Sequence, residues 1–428
     1  MARVLFATVP IAGHIQPFLA IARALVERGH QLRWYTGRNY AGLVEQTGAS
    51  FAPYERATEF DDQAMELAFP ARARLHGLRQ LKFDLLHVFG AAIPGQLLDL
   101  EQVARAFSPD VIIADPCMLG ALLFKERHGT PLVVINVIAS TVSSRDTAPF
   151  GLGIPPRRGA LGLLRNRALS LLARQVVIRD LQTQWRRVRR AQGLPTQTFL
   201  TDAPLVADLF LQPTVAGFEY PRSDLPPNVH LIGALHGDPP RGSVDSAWLA
   251  QLDPQRPLVH VTQGTMSNAT PTLIGPTIEA LAREPVHVVV ATGGRSRVQL
   301  GLAPLPANTH VLPFVSYPEL LPRTSVMVTN GGYGGVQLAL CHGVPLVVWG
   351  TSEDKPETAA RVAWSGVGIR LAGRAPKPAA IRRAVREVLE NPRYRKRARE
   401  LAQQYARQDA VARAVELTES LLTRKAAR

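Results

Sequence analysis

Apolar and polar positions follow two periods along this chain. Residues 4–9 form a short apolar run closed by Pro10 and read as a strand. Beyond Gly13, the residues Phe18, Ile21, Ala22, Leu25 and Val26 recur at helical spacing until Gly29, which predicts a helix ending there. Residues 31–36 read as the next strand. A strand, helix and strand joined by such short links require parallel strands and a right-handed crossover. Residues 111–114 and 132–137 repeat the unit around a helix at 119–127. The first half is therefore expected to be an α/β domain on a parallel sheet.

The pattern changes over 161–190. Leu163, Leu164, Leu171, Leu172, Val176 and Val177 are its apolar members, and Arg165, Arg167, Arg174, Arg179, Arg186, Arg187, Arg189 and Arg190 its basic ones. Two readings stand: a helical insertion with a solvated arginine face, or a helix lying on a membrane surface. Residues 224–246 carry Pro226, Pro227, Gly233, Gly237, Pro239, Pro240 and Gly242, a linker composition. Five further strands are expected at 258–262, 286–291, 310–312, 326–329 and 345–348, with helical patterns between them. Open parallel sheets bind ligands at the carboxyl ends of their strands.

Length and composition change this picture little. The chain has 428 residues, 46% hydrophobic and 19% charged, enough for large cores without disulfide staples. The net charge is +15, and Lys occurs only at 82, 125, 355, 377, 396 and 425, so the excess is arginine. Such charge bears on solubility and association and names no fold. Cys117 and Cys341 are too far apart in sequence for a framework or a metal site and read as buried free thiols of a reducing compartment. The opening apolar run is too short for a secretory leader, and no stretch approaches the roughly 20 apolar residues of a spanning helix. A cytoplasmic protein is expected.

The chemistry gathers at strand ends. His14 follows the first strand, where a neutral imidazole suits proton transfer near neutral pH; a merely polar loop histidine is the alternative. Asp115 closes the run Val111-Ile112-Ile113-Ala114, where it either orients an imidazole or caps the following helix. In the second half, Thr262-Gln263-Gly264-Thr265 follows one strand. Thr329-Asn330-Gly331-Gly332-Tyr333-Gly334-Gly335 follows another and opens a helix. Small residues at a helix start let amides approach an anion, and two such loops suit a diphosphate. Neither a Walker loop nor a Gly-x-Gly-x-x-Gly turn after the first strand occurs.

Gly13-His14-Ile15-Gln16-Pro17 and the segment 326–362 resemble nucleotide-sugar-dependent glycosyltransferases of the GT-B fold, especially bacterial macrolide and other natural-product enzymes. The resemblance covers nearly the whole chain and is weakest over 50–100 and 140–210. It implies two Rossmann-like α/β domains whose parallel sheets face across a cleft. The implied division is an acceptor domain over 1–215, a linker over 216–246, a donor domain over 247–405 and a C-terminal helix over 406–428 that packs back on the first domain. It also implies that His14 is the base and Asp115 its partner. Gly264 and Thr265 match the loop meeting the donor phosphates, and Phe314 and Val315 the segment holding the base. Asn330, Gly332, Tyr333, Gly334 and Gly335 match the phosphate loop, and Asp354 and Lys355 the pair that binds sugar hydroxyls. No metal or other cofactor is implied.

Three positions depart from the family's pattern: Asn330 replaces its histidine, Leu338 beside Gln337 replaces its ribose-binding acid, and Lys355 replaces its glutamine. The expected activity is inverting transfer of a hexose, with UDP-glucose the best match, to a hydroxyl of a hydrophobic small molecule or lipid. The competing class is a non-catalytic homologue that binds a lipid or partner through 161–190. Nucleic-acid binding is disfavoured, since basic and aromatic residues do not interleave.

Overall fold

A computed structural model describes the chain except at positions 63, 76, 238–245, 265–271, 303, 352, 374 and 427–428. It divides into two compact units. The first comprises residues 1–216, 220–237 and 408–428, the second 217–219 and 238–407.

The first unit is built on a parallel seven-stranded sheet: β1 (Arg3–Ala7), β2 (Gln31–Thr36), β3 (Ser50–Pro53), β4 (Val111–Ala114), β5 (Leu132–Ile135), β6 (Leu209–Gln212) and β7 (Val229–Leu231). The order is β3-β2-β1-β4-β5-β6-β7, so the chain reverses its direction of travel between β1 and β4. β1, β4 and β5 are apolar on both faces because helices cover both, as all-parallel sheets require. The Ala12–Glu27 helix places Ile15, Phe18, Leu19, Ile21, Ala22 and Leu25 in the same core as Val4, Phe6 and Trp34. Phe6 meets Trp34 edge-on with ring centres 5.1 Å apart. The Ala410–Ala426 helix completes this core with Ala414 and Val415.

The second unit carries a parallel six-stranded sheet: β8 (Leu258–Thr262), β9 (His287–Ala291), β10 (Thr309–Leu312), β11 (Thr324–Thr329), β12 (Leu346–Val348) and β13 (Gly368–Arg370). Its order is β10-β9-β8-β11-β12-β13, with the reversal between β8 and β11. The Lys355–Trp364 helix carries Arg361, 1% exposed, which binds Glu219 at 2.7 Å and Glu357 at 2.9 Å. Glu219 thereby fixes the crossing segment 217–219 to this unit.

Four strands were not expected from the hydrophobic pattern: β3, β6, β7 and β13, of which β3, β7 and β13 are partly buried strands at the sheet edges. β7 lies inside the stretch expected as a linker, and residues 220–237 belong to the first unit; positions 238–245 of that stretch lie outside the described residues. The expected amphipathic stretch at 161–190 is two helices, Ala160–Leu172 and Arg179–Ala191, separated by a wide turn of π type over Ala173–Val177. The β-branched run at 176–178 of the sequence disfavours continuous α-helix. Nor is the arginine face uniformly solvated. Arg189 is buried and holds both oxygens of Glu126, at 3.0 and 2.6 Å. Cys117 and Cys341 are half-buried rather than buried, because each lies at a helix end or turn that reaches the surface.

Candidate functional site

In the first unit, β1 and β4 are neighbours in register, Ala7 opposite Ala114. Their carboxyl ends flank the point where the strand order reverses, the place such sheets use for ligands. The chain leaves β1, turns through Pro10 and enters the Ala12–Glu27 helix, so His14 stands in its first turn. Asp115 leaves β4 at the same level. His14 Nδ1 lies 3.1 Å from Asp115 Oδ1. The carboxylate is fixed from two further sides, accepting from the Val9 amide at 2.6 Å and the Cys117 amide at 2.7 Å. Its side chain is fully buried, and that of His14 is 11% exposed.

This arrangement sets the tautomer. A carboxylate held by amides accepts only, so the imidazole proton belongs on Nδ1 and the Nε2 lone pair is left to accept another. Asp115 is not a helix cap: the next helix starts at Leu119, with Met118 at its cap position.

The surroundings hold this pair still. Tyr54, fully buried, donates to the Thr8 carbonyl at 3.2 Å, and burial followed by the Asp115 charge pushes its phenol well above the ordinary value. Asp62 accepts from the Ala12 amide and from the Tyr40 hydroxyl, both at 2.8 Å, satisfying an otherwise unpartnered donor at the helix start. Nothing in the weakly patterned region around Asp62 marked it for this role. Sequence reading also set Cys117 aside, yet its sulfur and one ligand atom each from His14 and Asp115 all lie within 4.8 Å of one another.

In the second unit, the loops after β8, β11 and β12 meet at the sheet's own reversal point. Gly264 has φ of +76°, the left-handed region that favours glycine. Thr265 lies outside the described residues. Asn330, buried, donates through Nδ2 to the Gln263 carbonyl and accepts from the Gly332 amide at 3.3 Å. Its side chain thus braces two loops rather than supplying charge.

The first i to i−4 bond of the Tyr333–Cys341 helix runs from Val336 to Gly332 at 3.1 Å. The amides of Gly334 and Gly335 precede it, and nothing lies within 4 Å of a Cβ built on Gly334. This helix start presents amide hydrogens and the positive end of the dipole, which suits a phosphate. Tyr333 itself is buried in the packing.

Asp354 is half-buried at the cap of the Lys355–Trp364 helix, its carbonyl accepting from the Glu357 amide at 3.0 Å. Lys355 is buried, not solvated, and pairs with Glu353. Glu353 has φ of +57°, strained for a side-chain-bearing residue, as is common where a loop is shaped for function. Phe314 is half-buried and lies against Gly294, whose Cβ would stand 3.0 Å from the ring edge. Val315 is a core residue packed with Leu252, Leu258 and Val289. Leu338 is half-buried, and its neighbour Gln337 is buried and accepts from the Tyr405 hydroxyl.

Comparison with known proteins follows the same lines. Residues 276–421 match the family described as erythromycin biosynthesis protein CIII-like, C-terminal domain. The chain is 44% identical over 423 residues to 4'-demethylrebeccamycin synthase of Lentzea aerocolonigenes, covering 98% of this chain and 100% of that one. It is 34% identical to UDP-glycosyltransferase 2 of Phaeomoniella chlamydospora, covering 95% and 93%. Among solved structures, the calicheamicin glycosyltransferase CalG4 superposes with a TM-score of 0.74 at 21% identity, covering 100% and 99%. The spinosyn rhamnosyltransferase complexed with thymidine diphosphate gives 0.71 at 18% identity, covering 97% and 100%. At these identities the structural likeness bears on fold.

Proposed function

The chain belongs to the nucleotide-sugar-dependent glycosyltransferases of the GT-B fold, and from that premise we propose that it transfers a hexose, with inversion, to a hydroxyl of a hydrophobic acceptor. The observation that carries this reading is the His14–Asp115 pair, with Nδ1 3.1 Å from Oδ1. The acceptor hydroxyl gives its proton to His14 Nε2 as its oxygen attacks the anomeric carbon. The carbon–oxygen bond to the diphosphate breaks, and that oxygen leaves with the electron pair. Asp115 stabilises the imidazolium that forms. The leaving diphosphate is met by the amides at the start of the Tyr333–Cys341 helix, and the reading requires no metal.

UDP-glucose is the proposed donor. Relatives named UDP-glucosyltransferase support the choice, at 30% and 31% identity. Thymidine diphosphate is the alternative nucleotide, the one bound in the rhamnosyltransferase complex that shares this fold. Leu338 cannot hydrogen-bond a ribose hydroxyl, so the ribose is gripped by other groups. The test is thermal stabilisation across a panel of nucleotide sugars, followed by turnover with the donors that stabilise. Specific binding raises the midpoint as concentration passes Kd. Failure of every uridine and thymidine donor to stabilise the chain would refute the donor assignment.

Among the described residues no helix is long and apolar enough to cross a membrane. A peripheral contact is supported by one face of the Ala160–Leu172 helix. Leu161, Leu164, Leu171 and Leu172 are all more than half exposed there, beside the exposed Arg158 and Arg167. Cosedimentation with anionic vesicles, abolished in Leu164→Glu/Leu171→Glu, is the expected result.

A further inference from the structure

We propose that His14, Asp115 and Cys117 form a binding site for Zn2+, and that an ion bound there switches the base off. The three side chains offer a nitrogen, an oxygen and a sulfur, all within 4.8 Å of one another. A tetrahedral zinc ion with bonds of about 2.0–2.3 Å separates its ligand atoms by roughly 3.4 Å. The His14 Nδ1 to Asp115 Oδ1 distance is already 3.1 Å. Closing the set therefore asks for a small adjustment of side chains, not a rearrangement of strands.

The carboxylate is oriented for this role. Oδ2 accepts from the Val9 amide at 2.6 Å, and Oδ1 from the Cys117 amide at 2.7 Å. A carboxylate oxygen has two lone pairs. One on Oδ1 is given to Cys117 and the other faces Nδ1, where the cation would replace the proton. Outer hydrogen bonds of this kind fix metal ligands in zinc sites. Cys117 enters the Oδ1 bond through its backbone, and its own carbonyl accepts from the Leu119 amide at 2.9 Å, which pins the loop that carries the sulfur.

The donor set selects the metal. A thiolate and an imidazole beside one carboxylate suit zinc and disfavour magnesium or calcium, which take oxygen ligands. Charge balances as well: one dication, one carboxylate and one thiolate sum to zero, which a site with a fully buried carboxylate tolerates. On binding, the thiol releases one proton to solvent. The imidazole stays neutral, and its proton moves from Nδ1 to Nε2.

That last shift is the functional consequence, and it rests on the proposed role of His14 as base. With the metal on Nδ1, Nε2 carries hydrogen and cannot accept the acceptor's proton. Metal binding itself does not depend on that role.

The experiment titrates the full-length protein with Co2+ and Zn2+, comparing wild type, Cys117→Ala and Cys341→Ala. Cys341 is the control thiol, pushed up to about 12 by burial. Wild type and Cys341→Ala should show a sulfur-to-cobalt charge-transfer band saturating at one Co2+ per chain; Cys117→Ala should lack it. By competition with a chromophoric chelator, Cys117→Ala should bind Zn2+ at least about tenfold more weakly. Its inhibition by Zn2+, measured against its own metal-free rate, should move by the same factor. Equal Zn2+ affinity in wild type and Cys117→Ala, or a cobalt band lost instead in Cys341→Ala, would overturn the site. If the cobalt band behaves as stated but Zn2+ leaves transfer untouched, the site stands as a binding site, and the switching role and the assignment of His14 as base fall together.

Discussion

A Cβ placed on Gly350 would fall 2.5 Å from the carbonyl oxygen of Asn330 and 2.6 Å from Cβ of Lys355. The loops after β11 and β12 therefore touch through backbone, and only glycine lets them. Gly350→Ala should destabilise the chain by about 1–3 kcal/mol, the range for an overpacked site. It should also reduce stabilisation by a nucleotide sugar, because the pushed loop leads into the Tyr333–Cys341 helix. Thermal melts with and without donor would show both effects; an unchanged donor response would separate Gly350 from the donor loop.

Removal of the proposed base and of its proposed partner should act on the same step. His14→Ala and Asp115→Asn are each expected to lower kcat by at least about 100-fold, within the range for general-base catalysis. Donor-dependent stabilisation should persist in both variants, since the expected donor loops belong to the other unit. The double variant should be little worse than either single one, as the pair works as a unit. Near wild-type turnover by His14→Ala would remove the base assignment.

Asp354→Asn should lower activity about tenfold, which needs only about 1.4 kcal/mol of lost transition-state stabilisation. Lys355 is buried against Glu353, so Lys355→Gln leaves that carboxylate without its cation. The expected result is a changed ranking among hexose donors together with a modest loss of stability. Kinetics over a donor series decide this, and identical rankings in wild type and both variants would exclude the pair from sugar recognition.

Arg361 is held between Glu219 and Glu357 with almost no exposure. Arg361→Met would take the guanidinium away from two buried carboxylates, at an expected cost of about 3–5 kcal/mol. Adding Glu219→Gln and Glu357→Gln should recover part of the loss. Denaturant melts of the single and triple variants test this.

His260 stands in β8, fully buried, with Nδ1 donating to the Val289 carbonyl at 3.0 Å. Burial lowers its pKa from 6.5 to about 4, so it is neutral in the folded chain at neutral pH. The unfolded chain binds more protons between those values, so this residue's contribution is full above pH 6.5 and falls as pH drops towards 4. His260→Phe should flatten the stability profile over that interval, as read from midpoints at a series of pH values; an equal slope in both proteins would assign the acid sensitivity elsewhere.

The class of fold and most of what flanks the candidate site were legible in the local pattern of residues. The run 111–114 matches β4, and 132–137 begins with β5, because a parallel strand buried on both faces reads as a continuous apolar run. The positions of His14 and Asp115 followed from the strand ends, since short strand-to-helix links leave few places for a polar residue to point outward. Which distant segments meet depends on long-range pairing. Sheet order makes β1 and β4 neighbours across more than a hundred residues, and that order alone brings His14 to Asp115 and Cys117. The fold packs the side chains of Val315 and Tyr333 inside, gives Lys355 a partner in Glu353, and makes Asn330 a brace between loops. β3, β7 and β13 escaped the reading for a related reason: they are edge strands, only partly buried, and their polar and apolar residues mix because a single neighbouring strand holds them. Local sequence encodes periodicity, whereas register between strands is settled by long-range pairing and burial, which no short window contains.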